Sequence, residues 1–198
     1  MNKSIVYLIC LMVLLFIGIT GCGPQEESQV IPHARYVESY DGVRVAVPGH
    51  PKRILALSSA SDTILLGLVE PDRLVGINTL STYEEYSLEA KRAKLVKPAM
   101  SSYPLEKIIA LEPDLVIAPD YTSADVIAGL RHMGIPTVVV PTGTTVESVI
   151  KNVTDIAHIV GEDEKGQFYE QKIRRELEKI KRLGTSIPLN QRKSVLFV

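Results

Sequence analysis

Beyond residue 35 the chain alternates between two hydrophobic periods. Tyr36–Val47 alternates apolar and polar positions around Asp41-Gly42, which predicts a β-hairpin. Pro48-Gly49-His50-Pro51 then breaks the pattern. Short apolar runs follow at Arg53–Leu57, Arg73–Ile77, Asp114–Ala118 and Thr137–Val140, and their length and β-branched content predict buried strands. Between them the period lengthens to that of a helix. Helices are predicted over Asp62–Gly67 behind a Ser-rich cap, over Leu105–Leu111 with Pro104 in the first turn, over Ala124–Met133 before Gly134, and over Val146–Val160 before Gly161. Thr144 and Glu147 have capping-box spacing. Glu70-Pro71-Asp72 and Glu112-Pro113-Asp114 each fall where a helix gives way to a strand, and read as one turn used twice. Strands alternating with helices require βαβ crossovers. The expected fold class is α/β, with a doubly wound, mostly parallel sheet followed by a long helix.

That last helix is predicted over Asp163–Leu183. Phe168, Ile173, Leu177 and Ile180 recur at helical spacing among many charges, and Glu178 and Arg182 stand at i,i+4. Gly184–Arg192 reads as a loop. Lys193–Val198 begins another strand, so the chain is expected to be a truncated product or a fragment.

The amino terminus obeys a different rule. Residues 4–25 carry no charge, Lys3 is the only cation before them, and most of the run to Thr20 is hydrocarbon. A short cationic head and an apolar middle read as an export signal, with an uncleaved membrane anchor as the alternative. Ile19-Thr20-Gly21-Cys22 resembles the lipobox of bacterial lipoproteins, in which the Cys receives a diacylglycerol and the chain is cut just before it. The segment after Cys22 is polar and lacks periodicity, as a tether requires. The expected location is the cell membrane, held by lipid and facing the extracytoplasmic side.

Composition narrows the function. The chain has 198 residues, 22 Lys+Arg against 23 Asp+Glu, and a net charge of -1. That balance argues against a nucleic-acid partner, which calls for a basic surface. Cys10 leaves with the signal and Cys22 is capped by lipid, so neither an intrachain disulfide nor a Cys metal site is expected. His33, His50, His132 and His158 read as surface or packing residues, and no metal site is expected. Gly161–Gly166 mimics the Gly spacing of a phosphate loop but lacks the following Lys-Ser/Thr. No Gly-x-Ser-x-Gly elbow is present. No catalytic residue is assigned. A small exported enzyme using the Asp120/Tyr121 loop stands as a remote alternative.

Val47–Ser58, Leu66-Gly67-Leu68, Asp72–Gly76, Leu105–Ala118 and Leu130–Val140 together resemble the periplasmic solute-binding proteins of iron-siderophore, haem and cobalamin ABC importers. The resemblance is dispersed but collinear, from Tyr36 to Val198. It implies two α/β lobes joined by one long helix, with ligand held between them. The implied domains are a signal peptide at 1–21, a lipidated tether at 22–35, a ligand-binding lobe at 36–160, the interlobe helix at 161–184 and the start of a second lobe at 185–198. The implied function is capture of a metal chelate, a ferric siderophore first and cobalamin or haem next, by a monomer that docks on an importer permease. A truncated lobe that binds nothing is the competing expectation. Glu106 matches the family's docking acid, although a carboxylate is also favoured in any helix's first turn.

In open α/β sheets ligands sit outside the carboxyl ends of the strands. Those ends carry Ser59, then Thr82 and Tyr83, then Asp120 and Tyr121, then Thr142, with Tyr103 joining them from the segment before a helix. Hydroxyls and free helix N–H groups suit a polar chelate, and Tyr also faces apolar rings. Caps and surface loops would show the same residue types.

Overall fold

The computed structural model describes residues 34–193. The signal segment, Cys10, Cys22, His33, most of the tether and the run 194–198 lie outside the described residues.

The chain opens with a hairpin, β1 (Arg35–Glu38) and β2 (Arg44–Val47), paired antiparallel. Its loop is longer than a two-residue turn, closed by bonds from Ser39 N–H to Val43 O and from Gly42 N–H to Ser39 O. The sheet proper has β3 (Ile54–Ala56), β6 (Leu115–Pro119) and β7 (Thr137–Val140), all parallel and in the order β3-β6-β7. A two-stranded parallel pair, β4 (Ile77–Asn78) and β5 (Ala99–Met100), continues it beyond β3 through a bridge from Ile54 to Leu74. Across the whole surface the order is therefore β5-β4-β3-β6-β7. The hairpin leans on the far edge, where Tyr40 N–H bonds Val139 O at 3.0 Å.

Helices cover both faces, as parallel sheets require. They are α1 (Ser59–Leu68), α2 (Ala90–Ala93), α3 (Leu105–Ala110), α4 (Ala124–His132), α5 (Val146–Val160) and α6 (Asp163–Ser186). Successive strand residues point to opposite faces. Ile54, Ala56, Leu115, Ile117, Val138 and Val140 therefore feed one core with Leu65, Leu66, Ile156 and Val160 from α1 and α5. Leu55, Leu57, Val116 and Ala118 feed a second core with Ile108 of α3 and Leu130 of α4. Each fully buried Leu or Ile contributes about 1.5–3 kcal/mol of transfer free energy.

Several local details differ from the sequence reading. The two Glu-Pro-Asp turns are not alike. Glu70 is extended and leads into a 3-10 turn over Pro71–Arg73, whereas Glu112 takes φ 46 behind α3. Asp114 does not close its own turn; its carboxylate accepts the N–H groups of Lys52 (2.7 Å) and Arg53 (2.9 Å) at the entry to β3. The strand expected over Arg73–Ile77 shrinks to β4, because the 3-10 turn takes up its start. The capping box of α5 uses Thr145 and Ser148 rather than Thr144 and Glu147. Pro104 is the cap of α3, one position before its first turn. α6 runs past Gly184 to Ser186, since an exposed Gly raises a helix's cost without ending it. Glu178 pairs with Lys181, and Arg182 instead donates to the Glu178 carbonyl.

The junction of α5 and α6 is clamped. Gly161 ends α5 at φ 78, a conformation open to Gly, and a Cβ there would meet Gly49 O at 2.7 Å. Arg73 donates to Glu162 Oε1 (2.6 Å), Val160 O (3.0 Å) and Pro51 O (2.9 Å). Lys165 donates to Leu68 O at 2.7 Å and lies 3.1 Å from Glu162 Oε2. Burial pushes the Glu162 carboxyl up, but Lys165 and Arg73 together hold it below its ordinary value.

Candidate functional site at the strand carboxyl ends

Parallel strands end on one side, so their exits form a single rim. In sheet order the rim carries Tyr103 after β5, Thr82 and Tyr83 after β4, Ser59 after β3, Asp120 and Tyr121 after β6, and Thr142 after β7. The chain leaves β3 to build β4 and β5 on one side, then returns to build β6 and β7 on the other. The topological switch point thus lies between β3 and β6, where such sheets place ligands.

Each expected residue has a definite setting. Ser59 is half-buried at the start of α1, next to the cap Ser58, whose hydroxyl accepts Ser61 N–H at 3.2 Å. Thr82 ends a 3-10 turn over Thr79–Thr82 and spends its hydroxyl on Thr79 O at 2.7 Å. Tyr83 is half-exposed and packs edge-to-face on Tyr86, with ring centroids 6.5 Å apart. Tyr121 is 72% exposed, an open aromatic platform at the switch point. Asp120 and Thr142 clasp each other: Thr142 donates to Asp120 from its amide (3.1 Å) and its hydroxyl (2.6 Å). Those bonds hold the exposed Asp120 carboxyl below its ordinary value. Tyr103 packs against the second core, with its hydroxyl buried beside the Asn78 side chain. Burial raises its phenol pKa, with the nearby Asp62 charge adding to the shift.

The sequence reading took Asp62 only as a helix start. In the structure it is the best-buried acid of the rim, at 1% exposure. Its Oδ2 accepts Asn78 N–H at 2.7 Å and the Ser81 hydroxyl at 2.9 Å, while Oδ1 has no partner. Desolvation pushes its pKa up to about 7, against the lowering effect of those two donors. Ser81 consequently turns inward, fully buried, rather than facing the rim. The sequence signal is an acid at the fourth position of a helix otherwise facing the core.

Two hollows flank the rim. One of 460 Å³ lies beside Asp120, lined by Tyr40, Asp41, Thr122, Ile127 and Arg131. Arg131 donates to Asp41 Oδ2 at 2.6 Å and holds that carboxyl at about 2. The other, of 650 Å³, separates β1 from α5. No group of three or more His, Cys, Asp or Glu is placed to hold a metal ion among the described residues, and His158 instead faces Asp163 at 2.8 Å. Among the described residues no helix is long and apolar enough to cross a membrane.

A doubly covered parallel sheet with hydroxyls and phenols along its carboxyl rim defines an α/β lobe. Residues 54–198 match the periplasmic binding protein family, and the chain belongs to it. Its relatives are named as binding proteins. It is 26% identical over 196 residues to the uncharacterized ABC transporter substrate-binding lipoprotein YvrC of Bacillus subtilis, covering 93% of this chain and 60% of that one. It is 31% identical over 137 residues to the vitamin B12-binding protein of Vibrio campbellii, covering 67% of this chain and 47% of that one. The fold matches a periplasmic solute binding protein from Veillonella parvula with TM-score 0.66 at 21% identity, over 79% of this chain and 50% of that chain. It also matches the heme binding protein HmuT with TM-score 0.59 at 25% identity, over 77% and 48%. The chain thus spans about half to three-fifths of the length of these proteins.

Proposed function

We propose that this chain is the ligand-capturing component of an ABC importer, lipid-anchored through Cys22, facing the extracytoplasmic side and taking a large metal chelate. The family match, joined to a rim of hydroxyls, phenols and one helix start at the switch point, carries this reading. The names of the relatives support it, including an iron(3+)-hydroxamate-binding protein of Bacillus subtilis that is 27% identical over 169 residues, covering 82% of this chain and 47% of that one. A ferric siderophore is the ligand placed first, with cobalamin and haem next. Chelate oxygens would accept from rim hydroxyls and helix N–H groups, and the exposed Tyr rings would lie against apolar parts of the ligand. The rim is one wall. Affinity for so large a molecule grows with a second wall over it.

Titration of the purified full chain in detergent with ferrichrome, cyanocobalamin and haemin tests the reading. Saturable one-to-one binding to one of them at about 1 μM or tighter is expected. Absence of binding to all three overturns it and favours a lobe that captures nothing by itself.

Glu106 is exposed in the first turn of α3, beyond the second core, and makes no ion pair with the described residues. It is proposed as the acid that meets a basic group on the permease. Glu106→Lys should cut uptake in cells at least about tenfold, the scale of a broken interfacial charge pair, and leave ligand affinity unchanged. Normal uptake by the variant would remove Glu106 from the docking surface.

A further inference from the structure

The segment 78–83 supplies two rim residues, Thr82 and Tyr83, yet it has little of its own to hold it. β4 contributes Asn78 alone, the 3-10 turn is four residues long, and Leu80 and Tyr83 face outward. Besides the pairing of Asn78 with Met100 of β5, it is tied down by one side chain of another element. Asp62 reaches from the first turn of α1 and takes the Asn78 amide and the Ser81 hydroxyl on a single oxygen. Its other oxygen is buried and unpartnered. The Tyr103 hydroxyl, close enough to sense the Asp62 charge, is buried beside the Asn78 side chain.

No cation of the described residues compensates this carboxyl. The groups around it are Ser61 of α1, Asn78 and Ser81 of the turn, and the phenol of Tyr103, with Tyr121 beyond Tyr103. None of these is a Lys, Arg or His, and the titratable neighbours among the described residues are the Tyr103 and Tyr121 phenols. An ionised carboxylate here is a buried charge with one oxygen unsolvated, an arrangement proteins relieve by neutralising the group or by admitting water. The route for water is the light turn that covers it.

We propose that Asp62 is the positioning residue of the ligand rim: as a neutral acid it latches the turn 78–83 shut, and on ionisation it releases the turn, so that Thr82 and Tyr83 are held for ligand only while the proton is on. This rests on the importer reading for what the rim binds, but the latch itself needs no ligand. The direction follows from linkage. Opening the turn rehydrates Asp62 and returns it toward an ordinary carboxylate, so opening releases a proton and is favoured as pH rises. The folded group titrates near pH 7, which sets the top of the range.

The test is amide hydrogen exchange of the full chain in detergent, corrected for intrinsic rates, compared with Asp62→Asn. Asn keeps an oxygen for both donors and stays neutral at every pH. In the native protein, protection at Asn78 and Ser81–Tyr83 should fall by up to about tenfold per pH unit between pH 5 and pH 7, then level off. In the Asn variant it should be flat. A merely structural role for Asp62 would let the turn amides exchange only in the global unfolding that also exposes β6 and β7. The latch requires the turn amides to exchange at a lower opening free energy than the buried amides of β6 and β7 at each pH. A flat native profile, or turn amides protected as strongly as those strand amides, overturns the proposal. Affinity for the same three probes adds a second arm: the native protein weakens from pH 5 to pH 7 and the variant does not. If no probe binds, the importer reading falls and the exchange result alone judges the latch.

Discussion

Between pH 4 and pH 7 the native protein should lose on the order of 4 kcal/mol of unfolding free energy that the Asp62→Asn variant keeps. The sign comes from where each state holds its proton. In the unfolded chain Asp62 titrates at its ordinary value of 3.8; in the folded chain, at about 7. Below pH 4 both states are protonated and the contribution is whole. From there to pH 7 the unfolded chain has released a proton that the folded chain retains, so stability falls with each step. Above 7 both are ionised and the curve is flat. Other carboxyls do not imitate this. Asp41, held at about 2 by Arg131, adds stability that is present above 3.8 and lost only as pH falls toward 2. Glu162 is also lowered, so its contribution is lost in acid rather than as pH rises, and it is common to both proteins. Urea denaturation at several pH values gives the difference directly. Parallel curves for the two proteins would show that Asp62 is solvated in the folded state.

Gly166→Leu should destabilise by about 3 kcal/mol, near the upper end of core overpacking. Gly166 is the only buried residue of α6, and a Cβ placed on it would sit 2.5 Å from the Ala157 Cβ of α5. Side-chain atoms beyond that Cβ have nowhere to go unless the helices part. Parting them pulls Lys165 from Leu68 O and loosens the clamp around Glu162. The gain in helix propensity, below about 1 kcal/mol, does not offset this. Gly184→Leu, in the same helix with no heavy atom within 4 Å of its Cβ position, is the control and should be neutral or slightly stabilising. Equal unfolding midpoints for the two variants would mean that α6 does not need its close seat on α5.

What the sequence made legible depended on the length over which a signal repeats. α5 begins at Val146 and ends at Val160 as read, because fifteen residues of amphipathic period stop at a Gly that must take positive φ. β7 matches too, since Thr137–Val140 is β-branched throughout and buried on both faces. The stretch from residue 71 to 100 carries little signal. β5 and α2 are too short to show a period, and β5 exists because it pairs with β4, which no local pattern announces. The rim followed from topology alone, as the strand exits must lie together once the strands are parallel. Which rim side chains face outward did not follow. Ser81 and the Tyr103 hydroxyl turn inward, and Asp62, read as a cap-region acid, finds its partners sixteen and nineteen residues away. A first-turn acid satisfies a local rule so well that a long-range role leaves no trace in the sequence.

The two carboxylates that cross the rim divide it. Asp62 binds the exit of β3 to the exit of β4, and Asp120 binds the exit of β6 to the exit of β7. No hydrogen bond between side chains of the described residues crosses from one half to the other at the switch point. The rim is thus two separately braced jaws meeting at a seam beside β3 and β6. Loop grafting aimed at a new ligand should move the exits in these pairs. At the seam the two halves are joined by the backbone pairing of β3 with β6, so either pair of exits can be replaced without disturbing the brace of the other.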